Sequence, residues 1–145
     1  MRTIRFRGMP FASIDFDFIN VHIDKNEFVY GNLIVDDKDT YIVNGVVSCD
    51  EDNIQLEQWI PVRPETVGQF TGLDDKNGKG IYESDWVMLK GQKCLISLSD
   101  TSGAWHVSYP VRDDVDFPLE NLLYWWYYMG TPDILVVSNI HTKGE

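Results

Sequence analysis

Apolar residues recur at every second position through most of this 145-residue chain, and Asn-Gly pairs and acidic clusters break the runs. A period of two sends alternate side chains to opposite faces of a strand, so the pattern commits the chain to sheet. Its sharpest instance is Val67 to Leu73 and Ile81 to Tyr82, separated by Asp74, Asp75, Lys76, Asn77, Gly78 and Lys79. Asn77 and Gly78 tolerate the positive backbone angles of a hairpin turn, which predicts two antiparallel strands here.

The same reading extends along the chain. In residues 2–7, Ile4 and Phe6 alternate with Arg and Thr, predicting a strand whose outer face is basic. From Ile14, Phe16 and Phe18 to Ile19, Val21 and Ile23 the apolar set changes parity, which means a β-bulge or a strand passing between two buried faces. After the turn at Asp24, Lys25 and Asn26, Glu27 to Val35 reads as a strand. Asn44 and Gly45 predict a tight type I′ connection from Thr40–Val43 into Val46 and Val47. The polar turn Cys49 to Asn53 leads into Ile54 to Val62, which Pro61 and Pro64 end.

Trp86–Leu89, Cys94–Leu98, Ala104–Tyr109 and Ile134–Ile140 read as further strands. Pro118 to Tyr127 reads as a short helix, with Pro118 in its first turn, Glu120 at its positive end, and Leu122, Leu123, Trp125 and Trp126 as its apolar face. The expected fold is therefore mainly β, either all-β or α+β with one short helix. A β-hairpin subregion is expected over residues 1–63 and a second β subregion over 64–145, with the boundary near residues 61–66.

Composition narrows the function. Net charge is −11, spread as 12 acidic against 6 basic residues over 1–66 and 11 against 6 over 67–145. Such a surface opposes direct binding to phosphate backbones, which depends on Lys and Arg. Leu122 to Met129 and Ile134 to Val137 are the longest apolar stretches, far short of the roughly 20 residues of a membrane helix. The first residues alternate basic and apolar, where a secretion signal puts its basic residues before a continuous apolar run. A soluble protein of the cytoplasm is expected. Its two cysteines, Cys49 and Cys94, are too few for a disulfide framework or a four-cysteine zinc site, and are expected to be reduced and partly buried. A disulfide between them would need an oxidising compartment.

Three segments resemble a known family: Met1 to Gly8 as MRTIRFRG, Pro64 to Val87 as PETVGQFTGLDDKNGKGIYESDWV, and Ile134 to Ile140 as ILVVSNI. With EFVYGNLIV and TYIVNG between them, they are similar to the YopX proteins of phages and prophages. The resemblance implies a mainly β fold whose later part is a small SH3-like barrel, and it implies a bacterial host cell as the setting. Ser84 and Ser138 stand where that family usually has Gly. Either the turn at Ser84 needs no positive backbone angle, or it bears a cost of about 1 kcal/mol. Met9 to Ile23 is longer than the family's first connection, and the C-terminal tail, Thr142 to Glu145, is shorter.

No constellation of residues commits the chain to chemistry. Asp74, Asp75, Asn77 and Gly78 lack the alternating ligands and closing glutamate of an EF-hand, so a hairpin turn explains them better. Cys94, Asp100 and His106 match no thiol-triad spacing, and His22, His106 and His141 have no paired spacing that would face one metal. Carboxylates are so abundant that no pair is informative. The residues lean away from catalysis, and no cofactor or metal is expected.

Aromatic residues carry more information. Trp59, Trp86, Trp105 and the run Tyr124 to Tyr128 exceed what a small barrel encloses. Trp125, Trp126, Tyr127 and Tyr128 cannot all point inward from one element, so they are expected to form an interface. The leading expectation is a noncatalytic homo-oligomer that binds another protein of phage or host. An acidic DNA mimic that modulates nucleic-acid enzymes is the alternative, and an unrecognised hydrolase or small-molecule binder a second.

Overall fold

A computed structural model describes residues 2–12, 22–89, 91–108, 116–118 and 133–142. They are mainly β, in antiparallel strands: β1 Phe6–Gly8, β2 Val29–Asp36, β3 Asp39–Cys49, β4 Ile54–Pro61, β5 Gly68–Asp74, β6 Gly80–Tyr82, β7 Asp85–Leu89, β8 Gln92–Leu98, β9 Trp105–Ser108, β10 Asp116–Pro118 and β11 Ile134–Asn139. One 3-10 turn, Pro64–Thr66, precedes β5. The chain forms two compact units, Met1–Gln69 and Phe70–Glu145, and passes from one to the other inside β5.

In the first unit the strand order is β4-β3-β2-β1, with Gly68 and Gln69 of β5 beyond β1. Register puts Leu33, Ile42 and Ile60 side by side on one face. There they pack with Val29 and Val62, and Phe6, Ile23 and Val67 close the cluster. The prolines that end β4 do not end the unit. Thr66 ties the 3-10 turn to the residues after β1, since its Oγ1 accepts the Met9 N–H at 2.8 Å while donating to the Arg63 carbonyl at 2.6 Å.

In the second unit the order is β10-β9-β8-β7-β11, with a β5–β6 hairpin besides. Ile81, Val87, Leu89, Cys94, Ile96, Trp105, Val107 and Ile134 form its core. The barrel implied by the family resemblance takes another form here: among the described residues the strands make open sheets. At β11, the last strand of its sheet, the turn after β5 takes up backbone groups of the strand. Lys76 N–H donates to the Ile134 carbonyl at 3.0 Å, and Val136 N–H donates to the Asp75 carboxylate.

Three expectations are corrected. Asn44-Gly45 is no hairpin corner, because β3 runs straight through it, with Asn44 opposite Gln58 and Val46 opposite Leu56. Gly45 does take a positive φ of 67°, and the Asn44 amide donates to the Tyr30 carbonyl, just ahead of the register shift between Val46 and Ser48. The outer face of the first strand is not uniformly basic. Arg2 and Arg5 are exposed, but β1 begins only at Phe6, and Arg7 within it is buried with its guanidinium 4.2 Å from the Phe28 ring centre. Pro118 starts no helix: it pairs with His106 in β10. The remainder of the expected helix, and the parity change between Ile14 and Val21, lie outside the described residues.

Candidate functional site

Acidic residues explain much of the architecture before any surface is considered. Asp24 closes the turn into β2, its Oδ1 accepting the Asn26 and Phe28 N–H groups, each at 2.9 Å. Asp50 shapes the β3–β4 turn in the same way, accepting the Asp52 N–H at 2.9 Å and the Asn53 N–H at 2.8 Å. Those two amides favour its ionised form and hold its carboxyl below the ordinary value of 3.8.

Asp75 acts over the longest sequence separation. Its Oδ1 accepts Asn77 N–H at 2.8 Å and Lys79 N–H at 2.9 Å, while its Oδ2 accepts Val136 N–H at 3.0 Å. The side chain is buried. The DDKNGK turn and the closing ILVVSNI strand, which the sequence shows only as separate strings, are thus joined by one carboxylate. Sequence reasoning identified the turn, with Gly78 at a φ of 79°, but not this second role of Asp75. Only burial shows it, because a second acid beside Asp74 carries no signal of its own.

Ser84 and Ser138 separate cleanly. Ser84 has a φ of 71°, and its neighbours hold it there: its N–H donates to the Ile96 carbonyl at 2.8 Å and its carbonyl accepts the Ile140 N–H at 3.0 Å. The left-handed conformation is therefore borne by a side chain that disfavours it. Ser138 lies within β11 opposite Trp86, in ordinary strand conformation. Replacing Ser84 by Gly is expected to stabilise the protein by about 0.5–1 kcal/mol, whereas Ser138→Gly is expected to destabilise it by a similar amount. Urea unfolding of both variants checks the opposite signs.

The structure does not assemble the thiol triad. Cys94 is buried in the core, and its Sγ lies 3.6 Å from the Gln92 carbonyl oxygen. His106 stands opposite Ser97, three positions along β8, and its Nε2 meets the Ser102 Oγ at 3.3 Å. Both cysteines are free, and Cys49, expected to be partly buried, is exposed at the end of β3. Among the described residues no group of His, Cys, Asp and Glu is placed to hold a metal ion.

Trp105 is buried in the second core, and Trp86 is half-buried with the Lys93 Nζ 5.0 Å from its ring centre. Trp59 differs: it projects from β4 on the face opposite the core and is exposed. Tyr41 meets it edge-on with ring centres 6.0 Å apart, and Ile34, opposite Tyr41 on β2, is exposed on the same face. Beyond the core, β3 and β4 continue as an arm on which Val46, Val47 and Ile54 are exposed, ending in the turn that Asp50 organises. Sequence reasoning noted Trp59 among the aromatics but did not set it apart. Trp125, Trp126, Tyr127 and Tyr128, the interface residues it did single out, lie outside the described residues.

No helix among the described residues is long and apolar enough to cross a membrane. No curated protein matches the chain. The sequence pattern of the YopX protein family matches residues 21–143, a span that takes in both the arm and the Asp75 turn. With most of its length matched in this way, the chain belongs to the YopX protein family.

Proposed function

We propose that this chain is a noncatalytic, phage- or prophage-encoded accessory protein that assembles with copies of itself and binds other proteins in the bacterial cytoplasm. The observation that carries this reading is the outward face of the first unit, where Trp59 and Ile34 are exposed and the half-buried Tyr41 meets the Trp59 ring edge-on. Burying such side chains within the chain would be favourable by about 1.5–3 kcal/mol each, so their exposure at neighbouring positions suits recognition better than folding. Tyr and Trp are also the residues on which interface energy concentrates. Trp125, Trp126, Tyr127 and Tyr128 are assigned to the same recognition role on their composition. The acidic surface supports solubility and favours basic partners over nucleic acid.

The test is affinity capture from host lysate with the immobilised full chain, set against the Trp59→Ala variant. A partner captured by the native chain and bound at least tenfold more weakly by the variant is the expected result. Equal capture by both, or no specific capture, would contradict the reading.

A further inference from the structure

We infer that the Trp59 face of the first unit docks against the same face of a second copy, with Arg5 of each copy stacked on Trp59 of the other across a two-fold axis parallel to the strands. The inference rests on the reading of the chain as a self-assembling protein and names the surface that assembles it.

The register supplies the geometry. Phe6 opens β1 opposite Gly31, so Arg5, one residue earlier, comes level with Asn32. Asn32 is opposite Val43, and Val43 is opposite Trp59. Phe6 packs against the core, so alternation sends Arg5 to the outer side of the sheet, where Trp59 lies. Arg5 and Trp59 therefore stand at one height on the two flanks of β2 and β3, both exposed. Sheets pack face to face about 10 Å apart with their strands nearly aligned. A two-fold axis running along the strands, between β2 and β3, sets Arg5 of each copy over Trp59 of the other. It also sets Ile34 of each over Tyr41 of the other, because those two are opposite each other within one sheet. Such reciprocity is what an isologous interface requires.

Charge favours the same arrangement. The Phe28 ring carries the Arg7 guanidinium at 4.2 Å, and Trp86 carries the Lys93 Nζ at 5.0 Å. Among the described residues no cation lies over Trp59, which is 62% exposed, and none pairs with Glu57, two positions away on the same side of β4. A guanidinium on the indole face is attracted by the ring and comes within reach of that carboxylate. A chain with a net charge of −11 meets an acidic face of its own copy favourably only through a base, and Arg5 is the base this axis delivers.

Area and the remaining charges set the strength. The face, from Arg5 across to β4, has a footprint of roughly 300 Å², small beside the roughly 800 Å² that each partner of a standard interface buries. The dimer is therefore a weak one, formed in the micromolar range. The same axis sets Asp36 of one copy over Asp39 of the other at the turn end of the face, a like-charge contact that opposes docking. Acids at the two ends of one face thus act in opposite directions.

The experiment follows the oligomeric state of the full chain by sedimentation velocity across the micromolar range, with the folding of each variant matched by circular dichroism. Arg5→Glu and Glu57→Arg should each weaken dimerisation at least tenfold. An equimolar mixture of the two variants should restore it, since a mixed pair has opposite charges at both contacts. Asp36→Asn/Asp39→Asn should tighten the dimer severalfold. Variants that stay monomeric when mixed would overturn the docking, and unchanged or looser association of the Asp36→Asn/Asp39→Asn variant would overturn this axis. A dimer indifferent to both Arg5→Glu and Glu57→Arg would overturn the docking while leaving self-assembly intact. A native chain that is monomeric at about 100 µM while Trp59→Ala still abolishes capture of another protein would overturn docking and self-assembly, but not protein recognition.

Discussion

Asp75→Ala is expected to cost about 3 kcal/mol of stability, whereas Asp74→Ala, one residue earlier, should cost less than about 0.5 kcal/mol. The two acids differ in what accepts a proton-bearing partner. Asp74 is exposed at the end of β5, while Asp75 is buried and accepts three backbone N–H groups, two from its own turn and one from β11. Removing the carboxylate leaves those donors with no acceptor of comparable strength, and a hydrogen bond to a charged group contributes about 1.5–3 kcal/mol net, part of which water recovers at the turn amides. Asp75→Asn should recover roughly half of the loss, because its amide oxygen can still serve the turn while its NH2 faces the Val136 donor. Equilibrium urea unfolding gives the magnitudes. Hydrogen exchange at Val136 shows whether the closing strand loosens with the turn.

Gly31→Ala should be comparably severe, at about 2–4 kcal/mol, for a different reason. Gly31 sits in β2 beside β3, and a Cβ there would lie 2.4 Å from the Val43 carbonyl oxygen and 2.7 Å from the Asn44 Oδ1. The first of these is backbone, so the clash cannot be relieved by turning a side chain. Asn44 is also fixed, since its amide donates to the Tyr30 carbonyl. Gly78→Ala provides the comparison. Gly78 has a positive φ, but a Cβ would meet nothing within 4 Å, so only conformational strain of about 1 kcal/mol is expected. Thermal melts of the two variants separate close approach from backbone strain.

Asn44-Gly45 and the Asp75 turn also show what the sequence could and could not convey. Local chemistry was legible where a turn closes on itself. The Asp74 to Lys79 hairpin and the Cys49 to Asn53 turn both form, because Asp and Gly satisfy and shape the backbone within a few residues. Asn44-Gly45 carries an equally strong hairpin signal, yet tertiary pairing overrides it: β4 pairs with β3 from Tyr41 to Cys49, past the point where pairing with β2 ends at Val43, and rewards a continuous strand. Arg7 misled for the same reason, since alternation predicts which side of a strand a residue takes but not whether both sides are covered. The proposed binding face was partly legible. An excess of aromatic residues pointed to an interface, but Trp59 and the buried Trp105 look alike in sequence, and only the register of β4 against β3 puts Trp59 outside.

The most direct test is hydrogen exchange of the native chain measured at low and high protein concentration, with β11 as the internal reference. If the Trp59 face is where proteins are recognised, amides of β3 and β4 around Trp59 gain protection as concentration rises through the micromolar range, while those of β11, already held by Asp75, do not change. Protection in β4 that is the same at every concentration, and that no bound protein increases, would contradict the account.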